Sequence, residues 1–256
     1  MLEVTELAPL GAVVRGLQVG AMDAATTDEM RTVLARHGVA VLPGQTAGDA
    51  EFVDFLRSFG RLVFTTGETP VPDCPDLNVI TNVGRTTPPR SSFHVDTSYV
   101  RHPPAYTALR AVVVPEHGGQ TLFSNQYAAY SDLPDDVRAD LAHRSVTHVV
   151  TGLDLPDDEE SSADHPVVRV HPRTGRPALY LSTPARCRTV SGLPPDLGAE
   201  LIAALYAHSI REENVLRHRW SAGDVVMWDN RCVMHRADHD GVVGDRVMHR
   251  GMATDG

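Results

Sequence analysis

The chain has 256 residues, 42% of them hydrophobic and 22% charged, with a net charge of −10 and a pI near 5.7. That is enough apolar material for a sizeable core, and the acidic balance argues against nucleic acid as a partner, because phosphate recognition needs a basic surface. No apolar run approaches the roughly 18 residues of a membrane span, Glu3 and Glu6 stand where a secretory leader would be basic, and Cys74, Cys187 and Cys232 lack paired spacing. The expectation is a cytoplasmic protein with no membrane association, no disulfide framework and no structural zinc.

The first helix signal is Thr26-Thr27-Asp28-Glu29, a capping-box pattern followed by Met30, Val33 and Leu34 at helical spacing and stopped by Gly38. Val39 to Leu42 reads as a buried strand. A second helix starts near Thr46 or Gly48, carries the stripe Phe52, Phe55, Leu56 and Phe59, and ends at Gly60. Such a stripe is core packing and is assigned no chemistry. Asn78 to Thr81 reads as a strand, 84–89 as a loop, Tyr106 to Val114 as a long strand, and 125–143 as two short helices. Asp154 to Asp164 is acidic and aperiodic, a solvated loop or a lid over a site. A hairpin follows over 167–181, then a helix from Leu197 to Ala207 and strands at Asp224 to Trp228 and Arg246 to Met252. Neither a repeat nor a linker interrupts the pattern. The reading is one domain over 1–256, mainly β with flanking helices around a double-stranded β-helix (jelly-roll) core.

Chemistry concentrates at Phe93-His94-Val95-Asp96-Thr97. In extended chain, residues two apart face the same way, so His94 and Asp96 present an imidazole and a carboxylate together. That is two-thirds of the 2-His-1-carboxylate face that holds Fe(II) in non-haem oxygenases. Alone the pair is weak evidence in a chain with 13 histidines. A third ligand has to come from the last third, where His208, His218, His235, His239 and His249 are available. His208 and His218 lie in or after a helix and His239 in a polar turn, whereas His235 follows a strand and faces inward. In the closing strand, period two puts Arg246 and Arg250 on one face and His249 on the other. Two guanidiniums aimed into one cavity suit carboxylate recognition.

These pieces, together with Gly118-Gly119-Gln120-Thr121-Leu122-Phe123-Ser124, Trp228-Asp229-Asn230-Arg231 and Arg246-Val247-Met248-His249-Arg250, resemble the taurine dioxygenase/phenoxyacetate dioxygenase family of Fe(II)- and 2-oxoglutarate-dependent oxygenases. The resemblance runs over most of the chain, densest at 91–125, 165–183 and 223–253. It implies that His94, Asp96 and His235 are the iron ligands, that Thr121 and Arg246 hold the distal carboxylate of 2-oxoglutarate, and that Arg250 lies by the substrate. The cofactors implied are Fe(II), 2-oxoglutarate and O₂. Related halogenases replace the carboxylate ligand by a small residue. This chain keeps Asp96, which favours hydroxylation, or hydroxylation followed by fragmentation.

The substrate side departs from the family pattern. The segment from Arg61 to Leu77 lacks the His and Tyr that grip taurine in related enzymes, and Arg90-Ser91-Ser92 stands where an Asn is expected. Taurine is therefore not the expected substrate. Arg250 still implies an anionic group, and Arg90 and Glu68 are candidates for contacts to a larger, amino-acid-derived molecule in a biosynthetic tailoring step. A catabolic sulfonate, sulfate-ester or phenoxyacetate oxygenase is the alternative. A non-catalytic jelly-roll binding protein and a zinc hydrolase are more distant, because neither explains Thr121 and Arg246. Partners are limited to small molecules, and self-association into a homo-oligomer is compatible with everything read.

Overall fold

The structure, a computed structural model, describes residues 2–85 and 91–255. The first half runs β1 (Glu3–Glu6), β2 (Ala12–Arg15), α1 (Ala24–His37), β3 (Val39–Leu42), α2 (Asp49–Phe59), β4 (Leu62–Val63), β5 (Pro70–Val71), β6 (Cys74–Thr81) and β7 (Tyr106–Val113). The middle runs β8 (Thr121–Asn125), α3 (Gln126–Ser131), α4 (Asp135–Leu141), β9 (Ser145–Val149), β10 (Ser162–Pro166), β11 (Val168–Val170), β12 (Pro177–Leu179) and β13 (Cys187–Val190). Last come α5 (Pro195–Ser209), β14 (Val215–His218), β15 (Val225–Asp229), β16 (Val233–Ala237) and β17 (Val247–Ala253).

A nine-stranded sheet in the order β1-β2-β3-β15-β7-β17-β6-β5, with β4 also on β17, faces a three-stranded sheet β14-β8-β16. Only β2 and β3 run parallel in the large sheet. Alternation decides which residue meets which core. On β15, Val225 and Met227 pack outward under α1 and α2, with Phe52, Phe55 and Phe59 of the expected stripe. Val226 and Trp228 point inward and share a second core with Leu109 and Ala111 of β7, Phe123 of β8, Val233 of β16 and Met248 of β17. This shared interior between two facing sheets is the expected jelly-roll core. The smaller sheet in turn lends Leu122 and Met234 to a third core under α5, with Ile202 and Leu205.

Three local readings are corrected. The α1 N-cap is Asp23, whose Oδ1 accepts the Thr26 N–H at 2.8 Å, so the helix starts a turn earlier than the capping-box pattern indicates. The acidic segment is loop only up to residue 161, because Ser162 to Pro166 pairs with β9. His94 sits in no regular strand; it makes an isolated bridge with His235.

Candidate metal centre

Phe93 and Val95 are buried in the core under α5, so alternation turns His94 and Asp96 to the opposite side. The His94 N–H donates to His235 O at 3.0 Å, and the His235 N–H donates back to His94 O at 2.9 Å. That bridge sets the two imidazole centroids 4.4 Å apart. His94 Nε2 then lies 3.6 Å from Asp96 Oδ1, and His235 Nε2 lies 3.6 Å from Asp96 Oδ2. The three offer ligand atoms within 4.8 Å of one another, the one such group of His, Cys, Asp or Glu among the described residues. Of the other candidates, His249 Nδ1 is 2.6 Å from Asp49 Oδ1 on the far face of β17. His208 Nε2 meets Ala129 O at 2.8 Å, and His218 Nε2 pairs with Asp224 at 3.2 Å.

The proton states suit a cation. His94 Nδ1 is 2.8 Å from Ser92 O. A carbonyl can only accept, so Nδ1 carries a proton and Nε2 is the nitrogen turned toward Asp96. Burial pushes His235 down to about 3 against the opposing pull of Asp96, which leaves its ring neutral. Burial works against ionisation of Asp96, but His235, Arg250 and His94 outweigh it and hold the carboxyl well below its ordinary value. A neutral imidazole at His235 and a carboxylate at Asp96 are forms a metal needs.

Residues that the sequence reading left unassigned hold this group in place. The Thr107 hydroxyl donates to Asp96 Oδ2 at 2.9 Å, and Asn230 Nδ2 donates to Thr107 Oγ1 at 2.8 Å. Trp228 Nε1 donates to Asn230 Oδ1 at 3.1 Å, and its ring packs 4.5 Å from the His235 ring. Asp229, fully buried, receives His171 Nε2 at 2.9 Å and two nitrogens of Arg231. The Trp-Asp-Asn-Arg element is therefore a scaffold: Trp228 backs one ligand, Asn230 aims the hydroxyl that aims the other, and Asp229 with Arg231 pins the turn. Thr107 carried a readable signal, a hydroxyl on the inward face of a strand whose next inward positions, Leu109 and Ala111, are apolar.

The second predicted corner lies on the same interior face. His235 pairs with Phe123 and Ala237 with Thr121, so Thr121 is one pleat away from His235 on the same side. Arg246 is 1% exposed. Its Nε donates to Gly119 O at 2.9 Å and one terminal nitrogen to Thr121 Oγ1 at 3.4 Å, while Nη1 is buried without a partner. Burial lowers the guanidinium to about 10. Gly119, at φ 67°, permits the approach: a Cβ there would come within 2.9 Å of Arg246 Cδ. Thr121 Oγ1 also accepts from Trp220 Nε1 at 3.1 Å. With two donors already on its oxygen, the hydroxyl's own proton is free to point at a ligand.

Arg250, 9% exposed, reaches Asp96 Oδ1 at 3.4 Å with one terminal nitrogen and Glu68 Oε1 at 3.1 Å with the other. Glu68 is thus placed beside the centre. Arg90, the remaining candidate, lies outside the described residues. A cavity of about 400 Å³ between Arg101, Arg169 and Arg231 lies behind Asn230 and contains none of the predicted site residues.

Comparison with known proteins agrees with this geometry. A 2,4-dichlorophenoxyacetate alpha-ketoglutarate-dependent dioxygenase of Cupriavidus pinatubonensis is 30% identical, with 89% of this chain and 88% of that one covered. Pentalenolactone F synthase of Streptomyces arenae is 32% identical over 97% of this chain and 94% of its own. A crystal structure of a putative alpha-ketoglutarate-dependent taurine dioxygenase from Burkholderia xenovorans superposes with a TM-score of 0.87 at 30% identity, covering 100% of this chain and 93% of that one. The family model for taurine catabolism dioxygenase TauD, TfdA family, matches residues 3–252, and the chain belongs to that family of Fe(II)-, 2-oxoglutarate- and O₂-using dioxygenases.

Proposed function

We propose that this enzyme hydroxylates, or hydroxylates and fragments, a small anionic or amino-acid-derived substrate as a tailoring step in biosynthesis, within one oxygenase domain over 1–256. His94, Asp96 and His235 hold Fe(II), and Thr121 and Arg246 hold the distal carboxylate of 2-oxoglutarate. Bound Fe(II) and 2-oxoglutarate supply oxidative decarboxylation with O₂, yielding succinate, CO₂ and oxidising power for a substrate C–H bond. The chain's own residues do the rest. Ser92 O fixes which nitrogen His94 presents, Thr107 fixes the rotation of Asp96, and Trp228 backs His235. Retention of Asp96 supports oxygen insertion over halogenation, and the similarity to an enzyme named pentalenolactone F synthase supports a biosynthetic setting.

One observation carries the reading. The guanidinium of Arg246 is almost wholly buried and has an unpartnered nitrogen beside a hydroxyl with a free proton. No carboxylate of the described residues pairs with it. A buried cation of this kind is costly unless a ligand anion completes it. Purified protein given Fe(II), 2-oxoglutarate and O₂ should form succinate with matching O₂ uptake. Arg246→Met should weaken 2-oxoglutarate by about tenfold or more, from loss of a charge-assisted contact of roughly 1.5–3 kcal/mol. Absence of succinate, or an unchanged 2-oxoglutarate affinity in the variant, would reject the proposal.

A further inference from the structure

Arg250 is the cation on the substrate side of the centre, yet both of its terminal nitrogens already face carboxylates. Its Nη2 lies 3.1 Å from Glu68 Oε1 while Nη1 faces Asp96 Oδ1 at 3.4 Å. The side chain of Arg250 is 11% exposed and that of Glu68 32% exposed, so Arg250 is fixed and Glu68 has room to turn outward. Glu68 is not a stray surface charge. Its N–H closes a turn on Thr65 O at 3.2 Å. Thr65 Oγ1 is 3.3 Å from Thr97 Oγ1, and Thr66 Oγ1 donates to both carboxylate oxygens of Glu159 at 2.9 Å. The loop is therefore tied to the residue after Asp96 on one side and to the acidic segment on the other. Glu159 makes the same rim more negative.

From this geometry we infer that Glu68 is a specificity-determining residue, and that the Glu68–Arg250 pair accepts a zwitterion: a substrate whose carboxylate takes Arg250 and whose adjacent ammonium takes Glu68. The inference rests on the functional reading above and narrows it to α-amino acids and their derivatives. The reason is charge balance. A substrate with a lone anion must displace Glu68 and leave its carboxylate beside Glu159 and Asp96 without its cation. A lone cation would leave Arg250 short of a partner in the same way. A zwitterion separates the pair and re-pairs both halves, so neither charge is stranded. The same residue thereby rejects small carboxylates that a free Arg250 would bind.

Three probes of one shape separate the charges: phenylacetate (anion), benzylamine (cation) and phenylglycine (both). Binding is measured by calorimetry to the anaerobic Fe(II)–2-oxoglutarate form of the wild type and of Glu68→Gln, with thermal unfolding as a folding check. Wild type should bind phenylglycine about tenfold or more tightly than phenylacetate or benzylamine. Glu68→Gln should gain about tenfold for phenylacetate and lose about as much for phenylglycine, and Glu68→Asp should restore part of the wild-type order. A variant that shows no gain for phenylacetate overturns the inference, including one that does not bind it at all. Equal binding of phenylacetate and phenylglycine by the wild type does so too. Loss of 2-oxoglutarate binding by the wild type would instead count against the functional reading, so the two failures are distinct.

Discussion

Among the described residues two pairs of histidines pack ring against ring, and one of them is arranged for a metal. The rings of His94 and His235 are 4.4 Å apart, and both Nε2 atoms face Asp96. The rings of His148 and His165 are 5.2 Å apart, edge to face, with Tyr180 packed against both. In the second pair one nitrogen of each ring is spent on structure, and His148 Nε2 is buried without a partner. His148 Nδ1 meets Ser98 Oγ at 2.9 Å, and His165 Nε2 meets Ser98 O at 2.9 Å and Val100 O at 3.0 Å. No further His, Cys, Asp or Glu joins them in a ligand group among the described residues. Their work is to hold the turn that leaves the centre just after Asp96. The Asp96 carboxylate facing both rings distinguishes the first pair, not the number of imidazoles.

The sharpest way to break that contrast is to remove a member of each cluster. Asp96→Ala and His235→Ala should abolish Fe(II) binding by calorimetry and, with it, succinate formation. His148→Gln should retain both. If His148→Gln lost the metal while His235→Ala kept it, the two clusters would have been assigned the wrong way round.

A smaller effect tests how Asp96 is aimed. Thr107→Val removes the donor to Asp96 Oδ2 and leaves Asn230 Nδ2 without that acceptor. Fe(II) affinity should fall roughly 10- to 100-fold, the usual cost of losing an outer-shell partner. Thr107→Ser, which keeps the hydroxyl, should recover most of it. An unchanged affinity in the valine variant would mean that Asp96 is positioned without Thr107.

The smallest effect is on stability. Burial, helped by His165, Arg169 and Arg186, pushes His148 down to about 3, and burial lowers His165 as well. His148 stays neutral in the folded protein down to about pH 3 and His165 is shifted in the same direction, so below about pH 6.5 the unfolded chain binds more protons and acid favours unfolding. The contribution is intact above the unfolded value and lost as pH falls, at no more than roughly 1.4 kcal/mol per unit for each group. Urea unfolding of the metal-free protein at pH 7.5, 6.5 and 5.5 should show the decline, and His148→Phe should flatten it relative to wild type. Parallel curves for the two proteins would remove His148 from the account.

Much of the centre was legible because its signals are local. His94 and Asp96 share a face because alternation requires it, and Phe93 and Val95 announce which face is core. The stripe of α2 and the opposed directions of Arg246 and His249 follow from the same kind of periodicity. The cap of α1 was misread because Thr26 and Asp23 both offer suitable oxygens, and only the backbone path shows which accepts the free N–H. Thr107 and Asn230 went unassigned because a hydroxyl and an amide acquire a role only from the partner opposite, which lies far off in the chain.

The amino-acid sequence by itself thus determined which residues could serve as donors, the face each occupies in extended chain, and the strands that had to be buried on both sides. Those properties depend on backbone periodicity and side-chain chemistry, which act over a few residues. Tertiary structure decided which strands meet and in what register: His235 beside His94, Ala237 opposite Thr121, Glu68 against Arg250. Backbone hydrogen bonds are alike at every position and do not choose a partner. The choice comes from packing two sheets around Trp228, Phe123 and Met248 at once, a condition on the whole chain that no short stretch contains.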